Sequence, residues 1–217
     1  MARFDITELE GMRFVQAHLE DESMHAEAGA LSYMRGNIRV DASFPGLGRI
    51  IKCALSNESP VRPRYEGTGD VFLQSSFGGY YSLDVKGEPW ILENGAYWAS
   101  AGTVDLGLHR EQAITSFWAG EGFIDYQTKL SGKGVAVLNA DGPVEEVNLR
   151  DETLSVEGKL VIARTGGLRY RVRRPVRSLI GYWLSGEKMM RTYSGTGRLL
   201  VSHTPYWNQR MLDAVKH

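Results

Sequence analysis

Six arginines crowd one short stretch of the chain: Arg164, Arg169, Arg171, Arg173, Arg174 and Arg177, with Tyr170 among them. Guanidinium forks grip phosphate and carboxylate oxygens in pairs, and an aromatic ring beside them offers a face on which a base can stack. The pattern marks Arg169, Arg171, Arg173 and Tyr170 as a candidate anion- or RNA-binding site. The same residues also read as one strand. Leu168, Tyr170 and Val172 alternate with Arg169, Arg171 and Arg173, which makes the arginines a solvated face. Glu145, Glu146 and Asp151 are acids placed to pair with them.

Three other constellations bear on chemistry. "GTGDVFL" from Gly67, "GKGVAVL" from Gly132 and "GTGRLLV" from Gly195 resemble phosphate loops. A phosphate loop, however, leads its glycine amides into a helix N-terminus, usually with a lysine and a hydroxyl residue following. Here each pair leads into an apolar run, and Lys133 stands where the other two copies have threonine. The expected role of Gly69, Gly134 and Gly197 is therefore structural: positive φ or a bulge where a strand bends. His18 and His25 flank the acidic turn Glu20-Asp21-Glu22, but no dense His/Cys spacing of a metal site accompanies them. Glu27 and Glu93 precede Gly29 and Gly95, and Glu157 immediately precedes Gly158. Paired carboxylates can work as acid and base; at repeated positions they read instead as side chains accepting turn amides. No cofactor motif appears.

The elements that carry these residues repeat. Gly69, Gly134 and Gly197 stand 65 and 63 residues apart, and upstream turns place Glu58, Glu121 and Glu187 at spacings of 63 and 66. A second phrase also occurs three times: "LEDESMHAEAGAL" from Leu19, "LDVKGEPWILENGAY" from Leu83 and "LRDETLSVEGKL" from Leu149. Its late glycines, Gly29, Gly95 and Gly158, are 66 and 63 apart. Each copy is followed by a short alternating strand opening on Gly36, Gly102 or Gly166. Two landmarks in step at one period predict a single domain, 1–217, of three internal repeats at about 10–75, 76–140 and 141–204, with an appendage at 205–217. Closure of such a ring would set residues 197–203 beside residues 12–20. The final segment, "WNQRMLDAVKH", is compatible with a short helix; everything else reads as strand. The fold class expected is all-β, with β-sandwich or double-stranded β-helix-like units around a pseudo-threefold axis.

Composition agrees. Among 217 residues, 42% are hydrophobic and 25 are glycine, which suits a packed β core with many tight turns. The net charge of -1 speaks against large-scale nucleic-acid or membrane-surface binding. The single cysteine, Cys53 in "RIIKCALS", excludes an internal disulfide, fits a reducing compartment and reads as a buried small residue. No run approaches the roughly 20 apolar residues of a membrane helix, and the N-terminus lacks a signal-peptide core. A cytoplasmic location is expected. Trp90, Tyr97, Trp98, Phe117 and Trp118 read as core or subunit contacts.

"ESMHAEAGALSYMRGNI", "GTGDVFLQSSFGGYYSLDV" and "GKGVAVLNADGPVEEVNL" resemble, in order and number, the altered-inheritance-of-mitochondria protein family over about residues 10–204. The resemblance implies three repeats, each similar to a subunit of the tryptophan RNA-binding attenuation protein. Yeast members are mitochondrial and linked to inner-membrane organisation. The resemblance supplies no catalytic residue. The function expected is a non-catalytic β scaffold acting through homo-oligomerisation and a protein partner. The alternatives are a small-molecule or RNA-binding module and an enzyme of unrecognised type.

Overall fold

The computed structural model describes residues 1–41, 62–76, 78–110, 126–157, 160–173 and 190–203. Cys53, Glu58, Phe117, Trp118, Glu121, Gly158, Arg174, Arg177, Glu187 and the segment 205–217 lie outside the described residues, as do the side chains of Glu157, Val172 and Arg173. The described chain is all-β, with thirteen strands in one antiparallel sheet and no helix. Among the described residues no helix is long and apolar enough to cross a membrane.

Three long strands set the plan. β2 (Met12–Ala26) lies between β1 (Arg3–Leu9) and β4 (Arg64–Leu73), and β3 (Leu31–Asp41) pairs the other side of β4. β9 (Tyr126–Asn139) carries β5 (Tyr80–Lys86) and β6 (Trp90–Leu92) on one edge, and β7 (Tyr97–Ala101) and β8 (Val104–Arg110) on the other. β13 (Met190–Ser202) lies between β10 (Val144–Glu157) and the pair β11 (Val161–Thr165) and β12 (Arg169–Arg173). The three groups share their registers. Gly69 opposes Leu19, Gly134 opposes Val85, and Gly197 opposes Leu149. The strand after each turn breaks register at the same step, between Leu31 and Tyr33, Tyr97 and Ala99, and Val161 and Ala163.

One device recurs in each group. In β2, Val15, Ala17 and Leu19 face the core; past the bulge at Asp21 the inward positions become Met24 and Ala26. An extra residue shifts a strand's side-chain phase by one, so the bulge re-aims the second half of the strand. Leu83 and Val85 give way to Trp90 and Leu92 across Gly87, and Leu149 gives way to Val156 across Asp151. Asp21, Gly87 and Asp151 all take positive φ, at 56°, 89° and 58°. The left-handed region is costly for an aspartate. In both aspartate copies the amide donates to the threonine between the paired glycines: Asp21 to Thr68 Oγ1 at 3.0 Å and Asp151 to Thr196 Oγ1 at 3.1 Å. Where Lys133 replaces that threonine, the bulge residue is Gly87, whose amide donates to the Gly132 carbonyl at 2.9 Å.

Two junctions join the groups, and they match. Met24, His25 and Ala26 pair with Ala101, Ser100 and Ala99; Trp90, Ile91 and Leu92 pair with Thr165, Arg164 and Ala163. The same flanking bonds close both, Gly102 N–H to Ser23 O with Glu27 N–H to Trp98 O, and Gly166 N–H to Pro89 O with Glu93 N–H to Ile162 O. A core through Val15, Met24, Trp90, Val104, Ala136 and Leu200 runs beneath, with a second cluster around Leu149, Tyr193 and Leu199. Residues 197–202 pair with β10 and β11, while residues 12–20 pair with β1 and β4; four strands separate β13 from β2 along the sheet.

Candidate functional site: a buried polar belt at the strand junctions

The junctions bury charge. Arg62 enters β4 with its side chain 3% exposed. Its Nε donates to Glu27 Oε2 at 3.4 Å and its Nη2 donates to Thr128 Oγ1 at 2.6 Å. The guanidinium lies 4.4 Å from the centre of the Tyr97 ring, whose hydroxyl sits 3.0 Å from Ser100 Oγ. One arginine thus ties the end of β2 to the neighbouring group through β7 and β9.

At the second junction Glu93 holds the centre. Its Oε2 lies 2.8 Å from Arg191 Nη1, and its Oε1 accepts from Gln127 Nε2 at 3.1 Å. Gln127 Oε1 in turn accepts from Arg164 Nη2 at 3.4 Å. The Tyr170 ring lies under both guanidinium groups, 5.4 Å from Arg164 and 5.9 Å from Arg191, and 5.3 Å from the Tyr193 ring. Arg164 and Arg191 are both buried. Burial holds the phenols of Tyr97 and Tyr193 well above the usual tyrosine range; Glu93 adds to the effect at Tyr193, and Arg191 opposes it.

Chemically the belt sets charges against one another across strands, Arg62 with Glu27 and Arg191 with Glu93. Glu27 and Glu93 each face a guanidinium group, which fixes the position of the carboxylate. Removing such charges from water is costly unless each is paired. The arrangement specifies which strands meet, because a shifted register would strand an arginine in the core. A shallow concavity elsewhere, lined by Met1, Ala2, Glu22, Ser23, Gly102 and Thr103, holds one carboxylate, Glu22, which is ion-paired to the N-terminal ammonium.

The arginine stretch divides. Arg169 and Arg171 are exposed on β12, Tyr170 turns inward, and Arg164 is buried in the belt. Tyr170 is half-buried, its ring beside Arg164, Arg191 and Tyr193, while Arg169 and Arg171 alternate with it along the strand. The nearby acids are engaged elsewhere: Glu145 with His203 at 2.9 Å and Glu146 with Arg198 at 3.4 Å. Arg198 also binds Glu88 at 2.8 Å and stacks 4.8 Å from the Trp90 ring, and the Glu88 hydrogen bond raises its pKa.

The glycine pairs lie inside β4, β9 and β13. Gly69 and Gly134 take φ of 147° and 153°, and a Cβ on Gly197 would collide with Thr165 Oγ1. Gly29 and Gly95 turn the chain at φ of 80° in each case. There the backbone carbonyls of Glu27 and Glu93 accept from Ala30 and Ala96, while the carboxylates point into the belt. By register Glu157 stands in line with Glu27 and Glu93, six residues past its bulge like each of them. His18 and His25 lie seven residues apart on one strand, on the order of 20 Å, too far to share an ion. His18 instead bridges two carboxylates, with Nδ1 2.6 Å from Asp70 and Nε2 3.0 Å from Asp5.

Sequence reasoning missed Arg62, Gln127, Thr128 and Arg191. The one signal was an arginine set among apolar residues, as in "MMRTYSG".

A family model described as mitochondrial biogenesis AIM24 matches residues 4–203. An uncharacterised protein of Streptococcus pyogenes serotype M6 is 22% identical over 213 residues, 92% of this chain and 84% of that one. A crystal structure of a Streptococcus pyogenes protein, solved by a structural genomics consortium, superposes with a TM-score of 0.73 at 20% identity, covering 100% of this chain and 99% of that one. That likeness establishes the fold.

Proposed function

The chain belongs to the mitochondrial biogenesis AIM24 family, and from that premise we propose that it is a non-catalytic β scaffold working through self-association and the binding of a protein partner. The body is three copies of one unit, about 10–75, 76–140 and 141–204, around a pseudo-threefold axis, each unit like a subunit of the tryptophan RNA-binding attenuation protein. The observation that carries the reading is the belt: Arg62 with Glu27 and Arg191 with Glu93 pair buried charges across strands, in the way that fixes strand order. The shared registers of Gly69, Gly134 and Gly197 support the three-unit division. The reading invokes no cofactor and places the protein in the cytoplasm. Light scattering of the purified protein tests it: mass above 24.2 kDa is expected, and a strict monomer that brings no partner through native purification would remove it.

Arg169 and Arg171, adjacent along the exposed face of β12, favour a second reading as an anion or RNA contact, with Arg173 two residues further along the strand. Retention on RNA that disappears in Arg169→Ala/Arg171→Ala would promote it; equal retention of both proteins would dismiss it.

A further inference from the structure

The two junctions define a third that is unmade among the described residues. His25 and Ile91 each stand four residues past a bulge, and the residue at that position in β10 is Ser155. Their partners, Ser100 and Arg164, each stand three residues past Tyr97 and Val161; the residue at that position in β3 is Met34. The same rule would set Ser155 against Met34, Leu154 against Arg35 and Val156 against Tyr33. β10 and β3 are instead the two ends of the sheet.

Burial shows what is missing. Ala99, Ser100, Ala101, Ala163, Arg164 and Thr165 are all at most 5% exposed. Tyr33 and Met34, in the same positions, are 56% and 43% exposed, and Val40 on the same strand is 44% exposed. On the opposite edge Ser155 is exposed. An open, apolar edge strand is a template for pairing, and natural proteins blunt or cover such edges. The two ends also differ in net charge: β3 carries Arg35 and Arg39 against Asp41, and β10 carries Glu145, Glu146, Asp151 and Glu152 against Arg150.

We propose that the β3 edge at Tyr33–Arg35 receives the β10 edge at Leu154–Val156 of a second copy of this chain, repeating between molecules the junction made twice within one. The proposal rests on the three-unit scaffold reading and names its surface. The contact is head-to-tail, because two different patches meet; each added copy leaves one edge of each kind open until a ring closes or a filament grows.

The test uses full-length protein carrying Cys53→Ser. Met34→Cys and Ser155→Cys chains, one bearing a size tag, are mixed and mildly oxidised. A cross-linked heterodimer is expected, in preference to an Arg39→Cys and Ser155→Cys mixture, which is out of register. Uncross-linked protein should grow in mass with concentration, passing beyond a dimer. A disulfide that forms only within the Met34→Cys/Ser155→Cys double variant would mean that the chain closes on itself, and would overturn the proposal. Oligomers lacking the 34–155 cross-link would overturn this surface while leaving self-association standing. A monomer at every concentration would overturn both.

Discussion

Glu93 and Arg191 meet at 2.8 Å across the second junction, with side chains only 13% and 4% exposed. They come from different strand groups, so the pair is formed only when β6, β9, β11 and β13 assemble in their observed order. Glu93→Gln keeps the shape but takes a negative charge from a buried guanidinium. Breaking a buried pair from one side costs about 3 kcal/mol or more, a fall of roughly 10 °C in melting temperature for a chain of this size. Arg191→Met in the Glu93→Gln background should restore part of the loss. Calorimetry of the two single variants and the double variant checks this, and strictly additive losses would show that the pair is not coupled.

Two classes of glycine should separate on substitution. Gly29 takes φ of 80° with open space around it, so Gly29→Ala carries only left-handed strain, roughly 1–2 kcal/mol. Gly69, at 147°, faces Gly36 across the ladder, and an added Cβ would collide with the Arg35 carbonyl oxygen. Gly69→Ala should therefore cost roughly 1–3 kcal/mol beyond the strain. Urea unfolding of both variants gives the comparison, and equal losses would remove the close-approach account.

The bulge and the paired glycines should be exchangeable as a set. Thr68→Lys alone removes the acceptor for the Asp21 amide, a loss of about 1 kcal/mol. Adding Asp21→Gly reproduces the combination of Gly87 and Lys133 that the middle group already uses, and should recover most of that loss. Equilibrium unfolding of the single and double variants reads the result. A double variant less stable than Thr68→Lys would refute the linkage.

How much of this could be read from the chain follows from which residues act alone. Gly69, Gly134 and Gly197 were legible as structural because a phosphate loop would have needed a helix after them, and β branching and apolar runs followed instead. Leu168 inward against Arg169 outward was legible from period two. The belt was not, because Arg62 and Glu27 stand 35 residues apart and Arg164 and Gln127 stand 37 apart; their meeting is a property of strand order. Arg164 was grouped with the exposed arginines for the same reason. The bulges were hidden too: a phase shift between Leu19 and Met24 looks like an interruption of alternation until a partner strand supplies the register.

His18 should act as the clasp of β1. Its ring touches Asp5 on β1 and Asp70 on β4, so it joins three strands. His18→Phe leaves two carboxylates facing each other over an apolar ring. The expected outcome is faster amide exchange confined to Arg3–Leu9, with little change across β9 and β13, since edge segments open separately from the core. Hydrogen exchange read by mass spectrometry would detect it, and unchanged protection of β1 would show that backbone pairing alone holds the strand.

Alkaline stability should be governed by the buried and half-buried phenols. Burial raises Tyr97 and Tyr193 well above the normal range, and Tyr80, whose hydroxyl donates to the Gln74 carbonyl at 2.6 Å, is pushed up to about 12. In the unfolded chain these groups lose their protons near pH 10. Above that pH the unfolded state binds fewer protons than the folded one, so stability falls as pH rises; below it the contribution is fully present. Denaturation midpoints should accordingly hold steady up to about pH 10 and drop beyond it. Phenolate absorbance from the buried Tyr97 and Tyr193 should appear together with unfolding. Tyr97→Phe gives up the Ser100 hydrogen bond and lowers stability at neutral pH, yet its decline above pH 10 should be shallower than that of the parent. Parallel declines in the two proteins would mean that the Tyr97 phenol titrates freely in the folded state, and that the wall between the first and second strand groups admits hydroxide.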